Sequence, residues 1–410
     1  MLPNFRLHPL RAIALIIGAV VLLALGAAMW WLNENARGVL PLITGPSQDI
    51  GALVESGESP FMLPDGFSVS VFTEDLHGPR VLTHDPMGTL VVSLPEPGKI
   101  VALPDTNNDG VSDRIVDVLS GLESPHGILF YENKLYVAEP GVVATYTYDP
   151  KTYAATGRTE ILTLPTKGGG HSTRTLYRIS TPEGEKLLVS VGSSCNVCVE
   201  EDEYRSTIIS ANFDGSDAKV YARGLRNSVF MATHPVTGEL WATEMGRDLL
   251  GDDTPPDEVN IVKEEGNYGW PICYGKNIHD TDFDQNTYIR APCTEPFETP
   301  SHIDLQAHSA PLGIAFIPEE GWPEALWHDA IVAFHGSWNR EEPTGYKLVR
   351  LQLSDTGAYE GVEDFMAGFR TDGEVLGRPV DVMVEPGGLM YVTDDMAGVV
   401  YRIVYRGDNL

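Results

Sequence analysis

One unit recurs six times along this chain and constrains its fold more than any other feature. Each copy is an alternating apolar segment, a turn rich in Gly, Pro or Asn, and a second apolar segment. Residues 81–83 turn through Asp85-Pro86-Met87-Gly88 into 90–92, and 127–130 turn through Glu132-Asn133 into 135–137. The pairs 176–179 and 187–189, 229–232 and 240–242, 312–317 and 331–333, and 380–384 and 389–391 follow the same plan. A further alternating segment follows most of them, as at 98–103, 346–351 and 398–403. Period-two alternation bounded by turn residues reads as strand. Six such units with few helical periods predict an all-β six-bladed propeller. The structural alternative, a β-sandwich, does not explain six recurrences of one turn pattern. The strand at 68–72, after Leu63-Pro64-Asp65-Gly66-Phe67, is placed to close the last blade.

In a propeller the loops leading into the blades converge on the central channel. That brings together Pro125-His126-Gly127, His171-Ser172-Thr173, Leu225-Arg226-Asn227, His308-Ser309-Ala310 and Gly377-Arg378-Pro379. His171 follows three glycines, Gly168-Gly169-Gly170, whose backbone is free to take φ > 0 and to let another group come close. A histidine on a bare loop at the mouth of a strand is placed to act as a base; the plainer reading is a loop histidine bonded to a carbonyl. Arg226 and Arg378 bring the planar fork that suits carboxylates, against the alternative of ion pairs with the many acids. The segment from His335 to Lys347 sets Trp338 beside Arg340, a pair able to stack over a flat ring; the alternative is a tryptophan packed between blades.

A second motif is Asp105-Thr106-Asn107-Asn108-Asp109-Gly110-Val111-Ser112-Asp113. Asp105, Asn107, Asp109 and Asp113 supply side-chain oxygens and Val111 a carbonyl, with glycine at the sixth position: a Ca²⁺ loop without its final glutamate. It is read as structural, between the second and third segments of one blade. The alternative is a solvated acidic turn.

The formal net charge of −30 excludes nucleic acid as a partner, since binding it needs a basic face. The N-terminus is separate. Arg6, His8 and Arg11 precede an uncharged run over 12–32 that ends near Trp30-Trp31. That run is long enough to span a bilayer, with a basic cytoplasmic flank. We therefore expect a cytoplasmic 1–11, a single anchor over 12–32 in the inner membrane, a linker over 33–62 and a periplasmic propeller over 63–405. A cleaved signal peptide, cut near Gly26-Ala27-Ala28, would instead leave the protein periplasmic or secreted. Four cysteines in an exported chain suggest two disulfides, with proximity favouring Cys195–Cys198 and Cys273–Cys293. No histidine follows Cys198, so the haem-attachment motif fails.

Taken together, GGGHSTRTL (168–176), VGSSCNVC (191–198), GLRNS (224–228), NYGWPICYG (267–275), HSAPLGIAF (308–316), HGSWNREEPTGYK (335–347) and GRPVDV (377–382) resemble the glucose/sorbosone dehydrogenase family. These are quinoprotein propellers that use pyrroloquinoline quinone (PQQ). The likeness is strongest to the L-sorbosone dehydrogenase-like branch and runs from about 63 to 405. It implies His171 as the base that takes a proton from a sugar hydroxyl while hydride passes to the quinone. It implies Arg226, Asn227 and Arg378 at cofactor-binding positions, and a channel Ca²⁺ on the carbonyls of Gly246 and Arg247. A quinone or small carrier would take the electrons onward. Three features depart from the soluble glucose enzymes. Ser193 stands where they carry an acid that orients the histidine. Their cofactor lysine has no clear counterpart, leaving Arg340 or Lys347 to substitute. Met245-Gly246-Arg247 replaces their Gln-Gly-Pro. A calcium-dependent lactonase or esterase and a propeller without cofactor are the competing classes.

Overall fold

The computed structural model describes residues 9–35, 39–296, 298–371 and 373–407. Arg6 and His8 lie outside the described residues. The fold is the expected six-bladed propeller, each blade an antiparallel four-stranded sheet. Blade one is Leu82–His84, Leu90–Leu94, Lys99–Leu103 and Val116–Ser120; blade two is Ile128–Tyr131, Lys134–Glu139, Val142–Asp149 and Ala154–Thr163. Blade three is Leu176–Thr181, Gly184–Val191, Thr207–Ala211 and Lys219–Arg223, with Gly266–Asn267 added in parallel at its edge. Blade four is Met231–Thr233, Leu240–Glu244, Asp257–Val262 and Ile303–Leu305; blade five is Pro311–Phe316, Ala330–Phe334, Lys347–Leu353 and Tyr359–Met366.

Blade six takes Pro379–Glu385, Leu389–Asp394 and Val399–Tyr405 from the end of the chain and Phe67–Thr73 from its start. Phe67 pairs with Tyr405, Val69 with Ile403 and Val71 with Tyr401. The closing strand read from the sequence is therefore real. Neighbouring blades cover both faces of each sheet, so the second strands lose the half-buried alternation of an open sheet. Leu90–Leu94, Leu240–Glu244 and Ala330–Phe334 are buried at every position. Trp241 is fully buried, edge-on to His302 and Phe316.

Two details differ from the sequence reading. The acidic loop 105–113 joins the third and fourth strands of blade one, Lys99–Leu103 and Val116–Ser120, not the second and third. The stretch expected as a linker is docked from residue 46 onward. Ile50 is buried at the start of a short helix, Ile50–Glu55, capped by the Asp49 side chain. Phe61 packs on Phe369 and Tyr401, and Met62 bridges Ala367. Upstream, the helix Pro9–Asn35 contains Ile13–Trp31, with a mean hydropathy of 2.6 and no burial against the propeller. It is long and apolar enough to cross a membrane; a signal sequence has the same character.

Asp394, fully buried on blade six, accepts from the amides of Arg378, Met396 and Ala397 through one oxygen and from the Tyr401 hydroxyl through the other. Burial pushes its carboxyl up to about 7. The folded state thus holds a proton there that the unfolded chain has released, so this group's contribution to stability falls as pH rises from about 4 to about 7. Asp394→Asn keeps the amide acceptor and removes the titration. Denaturant unfolding at pH 5 and pH 8 should show the variant gaining on the wild type with rising pH, by on the order of 2.5 kcal/mol. An equal pH dependence in both proteins would refute the assignment.

Candidate active site

Gly168, Gly169 and Gly170 take φ of 93°, 73° and 70°, three left-handed residues in succession. A Cβ on Gly170 would lie 2.4 Å from the backbone of Ser194, so the loop needs glycine there twice over. This turn seats His171 against Ser193. The His171 amide donates to the Ser193 carbonyl at 2.9 Å, and Nδ1 lies 3.2 Å from that carbonyl and 3.0 Å from Ser193 Oγ. A carbonyl can only accept, so Nδ1 carries the proton and Nε2 keeps its lone pair. Nε2 has no partner among the described residues. Ser193, standing where the resemblance expects an acid, thus sets the tautomer with a neutral group. Burial, then the charges of Arg226, Arg205 and Arg174, lower the imidazole to about 3. The base is neutral throughout the physiological range.

Buried arginines hold the loops around this histidine. Arg174 donates to the carbonyls of Pro140, Pro165, His171 and Thr173, and Arg205 to those of Lys167, His171 and Gly192. Arg226 donates to the carbonyls of Asn196, Met245 and Gly246, to Asn196 Oδ1 and to Asp248 Oδ2. Those five bonds use all its N–H groups. Arg340 makes four such bonds, to Asp252, Ala307, Glu342 and Asp253. Arg226 has no donor left for a ligand, and Arg340 has one N–H of Nη2 outside these bonds; both build the loops that would carry a ligand. Arg378 uses Nε on the His335 carbonyl and Nη2 on the Gly336 carbonyl, leaving Nη1 uncommitted.

Beside them opens a cleft of about 370 Å³ lined by Arg80, His126, Ser172, Thr173 and Asp395 among others. Arg80 pairs with Asp395 at 2.6 Å, and Asp395 also meets His335 Nε2 at 3.0 Å. Burial and then Arg378 lower His335 to about 4. Burial pushes Asp395 up, but His335, Arg80 and Arg378 together carry it well below the usual carboxylate range. Sequence reasoning missed Arg80 and Asp395. Arg80 had a readable signal: Gly78-Pro79-Arg80 leads into blade one just as Gly377-Arg378-Pro379 leads into blade six.

Gly246 and Arg247 lie after the second strand of blade four. The Gly246 amide donates to Asp257, whose other oxygen accepts from Ala310 of the loop leading into blade five. The Gly246 carbonyl accepts from Arg226 at 2.8 Å, and the Arg247 guanidinium pairs with Asp280 at 2.9 Å. Asn227 packs its Oδ1 toward Gly192, where a Cβ would meet it at 2.5 Å. Trp338 is 42% exposed. Lys347, expected near the cofactor, instead starts the third strand of blade five and pairs with Asp364 of the neighbouring outer strand.

Both expected disulfides are present, Cys195–Cys198 and Cys273–Cys293. Cys195, Cys198 and Glu200 form the one tight trio of ligand-type groups among the described residues; the disulfide removes the thiolates a metal would need. In the loop 105–113, Asp105 accepts from the amides of Asp109 and Gly110, Asn107 from Asp109, Asp109 from Val111, and Asp113 from Thr106. The Arg402 guanidinium covers Gly110.

The TrAA12-like family profile matches residues 61–406, and the chain belongs to that family. An uncharacterized protein of Borreliella burgdorferi is 32% identical over 85% of this chain and 92% of its own length. The PQQ-dependent pyranose dehydrogenase of Coprinopsis cinerea is 26% identical over 83% of the chain, which spans 54% of that enzyme's length. Among solved structures, the family AA12 enzyme of Trichoderma reesei overlays with a TM-score of 0.72 at 22% identity, covering 84% of this chain and 97% of its own. The holo PQQ domain of the Coprinopsis enzyme gives 0.67 at 24%, over 84% and 97%. These overlays show a common fold.

Protonation of the site is directly testable. In an NMR titration of the apo-protein, the His171 imidazole should show no charge change between pH 5 and pH 8, because its protonation lies near 3. A midpoint near the ordinary value of about 6.5 would mean that His171 is solvated and that the arginines do not reach it.

Proposed function

We propose that this protein is a PQQ-dependent dehydrogenase that oxidises an aldose or a related sugar aldehyde of the sorbosone type. The observation that carries the reading is electrostatic. A chain of net charge −30 gathers Arg80, Arg174, Arg205, Arg226 and Arg378 around one channel mouth, next to a neutral histidine with a free Nε2. PQQ is a planar tricarboxylate, and the uncommitted donors of Arg80 and Arg378 fit its carboxylates. Trp338 offers an exposed ring face. Membership of a family whose relatives include a PQQ-dependent pyranose dehydrogenase supports the same choice.

In this reading the bound quinone supplies the hydride acceptor, and the chain's own residues do the rest. Arg80 and Arg378 would bind carboxylate groups directly. The Gly246 and Arg247 carbonyls would hold a calcium ion, with Arg226 and Asp257 fixing their loop. His171 Nε2 accepts the proton of the substrate hydroxyl, while Ser193 keeps Nδ1 protonated and the ring in place. A second calcium at 105–113 would brace blade one. The helix within Pro9–Asn35 would tether the propeller on the periplasmic side of the inner membrane, and a quinone or small carrier there would take the electrons.

The test is reconstitution of the detergent-solubilised full chain, stripped with a chelator and titrated with PQQ with and without Ca²⁺. Calcium-dependent uptake and dye reduction with aldoses or sorbosone are expected. Absence of uptake under every condition would turn the reading to a hydrolase or a cofactor-free scaffold. In the loaded enzyme, His171→Gln should lower turnover by about 10²-fold or more with PQQ affinity retained. Undiminished turnover would remove His171 from the mechanism.

A further inference from the structure

Asn196 sits inside the four-residue loop closed by Cys195–Cys198. Both ends of its amide are engaged. Oδ1 accepts from the Asp248 amide at 2.8 Å and from Arg226 Nη2 at 2.9 Å, and Nδ2 donates to the Asp248 carbonyl at 3.0 Å. Its own carbonyl accepts from Arg226 Nε at 2.9 Å. Two N–H donors facing one atom require that atom to be the oxygen, so the orientation of the amide follows from its partners. Asp248 in turn bonds Arg226 through Oδ2 at 3.0 Å and the Asn339 amide through Oδ1 at 2.8 Å. Residues from blades three, four and five thus meet in one clasp, and its arginine also holds the Gly246 carbonyl.

The other side of the same loop meets the base. Ser193 Oγ donates to the Cys195 carbonyl at 2.6 Å and lies 3.0 Å from His171 Nδ1. Ser194 is fixed by Glu200, which accepts from its amide at 2.7 Å and its hydroxyl at 2.6 Å. A short disulfide-closed loop has few conformations to lose, so contacts at its two ends move together.

We propose that Asn196, held by the Cys195–Cys198 disulfide, is the positioning residue that sets the blade-four loop carrying Gly246 and Arg247 in register with His171. This rests on the reading of the site as a cofactor pocket. It assigns the Cys-Asn-Val-Cys stretch a role in geometry rather than in redox chemistry. Asn196 acts through Arg226 and Asp248 and touches no ligand itself.

The experiment uses the full chain and two kinds of readout. In apo-protein, hydrogen exchange of the Asp248 amide should speed up at least about tenfold in Asn196→Ala, because that amide loses its acceptor. Asn196→Asp keeps the Oδ1 acceptor but loses the Nδ2 donor to the Asp248 carbonyl, and should restore protection in part. In the second readout, Asn196→Ala should weaken Ca²⁺-supported PQQ binding by about tenfold or more, as loss of a supporting partner does, with Asn196→Asp between alanine and wild type. Cys195→Ser/Cys198→Ser should show the same loss, and adding Asn196→Ala to it should cost little more. The proposal is overturned if Asn196→Ala leaves Asp248 protected, if affinity stays within twofold once protection is lost, or if the aspartate variant is no better than the alanine. Should Asn196→Ala fail to fold, Asn196→Ser carries the same comparisons. A wild type that takes up no PQQ would refute the functional reading alone; the Asp248 exchange and a Ca²⁺ titration by calorimetry, expected to weaken tenfold in Asn196→Ala, still decide the positioning role.

Discussion

The bond on which the channel face depends runs from a buried guanidinium to a loop carbonyl. Strands satisfy their own carbonyls in the ladder; the loops between them cannot. At this face Arg174, Arg205, Arg226, Arg340 and Arg378 are each between 1% and 9% exposed and together take up carbonyls from ten or more loop positions. Burying a guanidinium is costly unless its donors are used, and here most are, those of Arg226 completely. Burial, and after it the positive charge that remains, lower His171 and His335. The bonds that shape the pocket therefore also keep its histidines neutral and make the site attractive to an anion.

Buried carboxylates play the complementary part for amides. Asp257 takes the amides of Gly246 and Ala310, Asp381 those of Leu82 and Val382, and Asp394 those of Arg378, Met396 and Ala397. Asp257 ties blade four to blade five and Asp381 ties blade six to blade one. Burial raises all three to about 7. Guanidinium for carbonyl and carboxyl for amide together make the irregular face as fixed as the sheets beneath it.

The repeats were legible because each blade writes the same period-two pattern into the chain, and the closing strand because an unpaired alternating segment stood before them. His171 was legible from the three glycines that its turn demands. What was not legible depends on which donors are spent. Arg226 and Arg378 look alike in sequence, yet one has used every N–H on its neighbours and the other has not. Lys347 lies nine residues after Trp338, but it opens a blade strand and its ammonium is taken by Asp364. Asn196 was passed over because its partner Asp248 belongs to another blade, a pairing no local motif carries.

The strand Phe67–Thr73 is among the first parts of the propeller to be made, and its partner Val399–Tyr405 is the last. The ring cannot shut until Val399–Tyr405 has been made. Until then a run of Phe and Val with free backbone groups waits as an unpaired edge, the kind of segment that seeks any other strand. The contact that completes the fold also has almost the greatest sequence span in the chain, which slows its formation. The molecule is thus committed to late closure, and its most vulnerable moment is the interval between the first blade and the last.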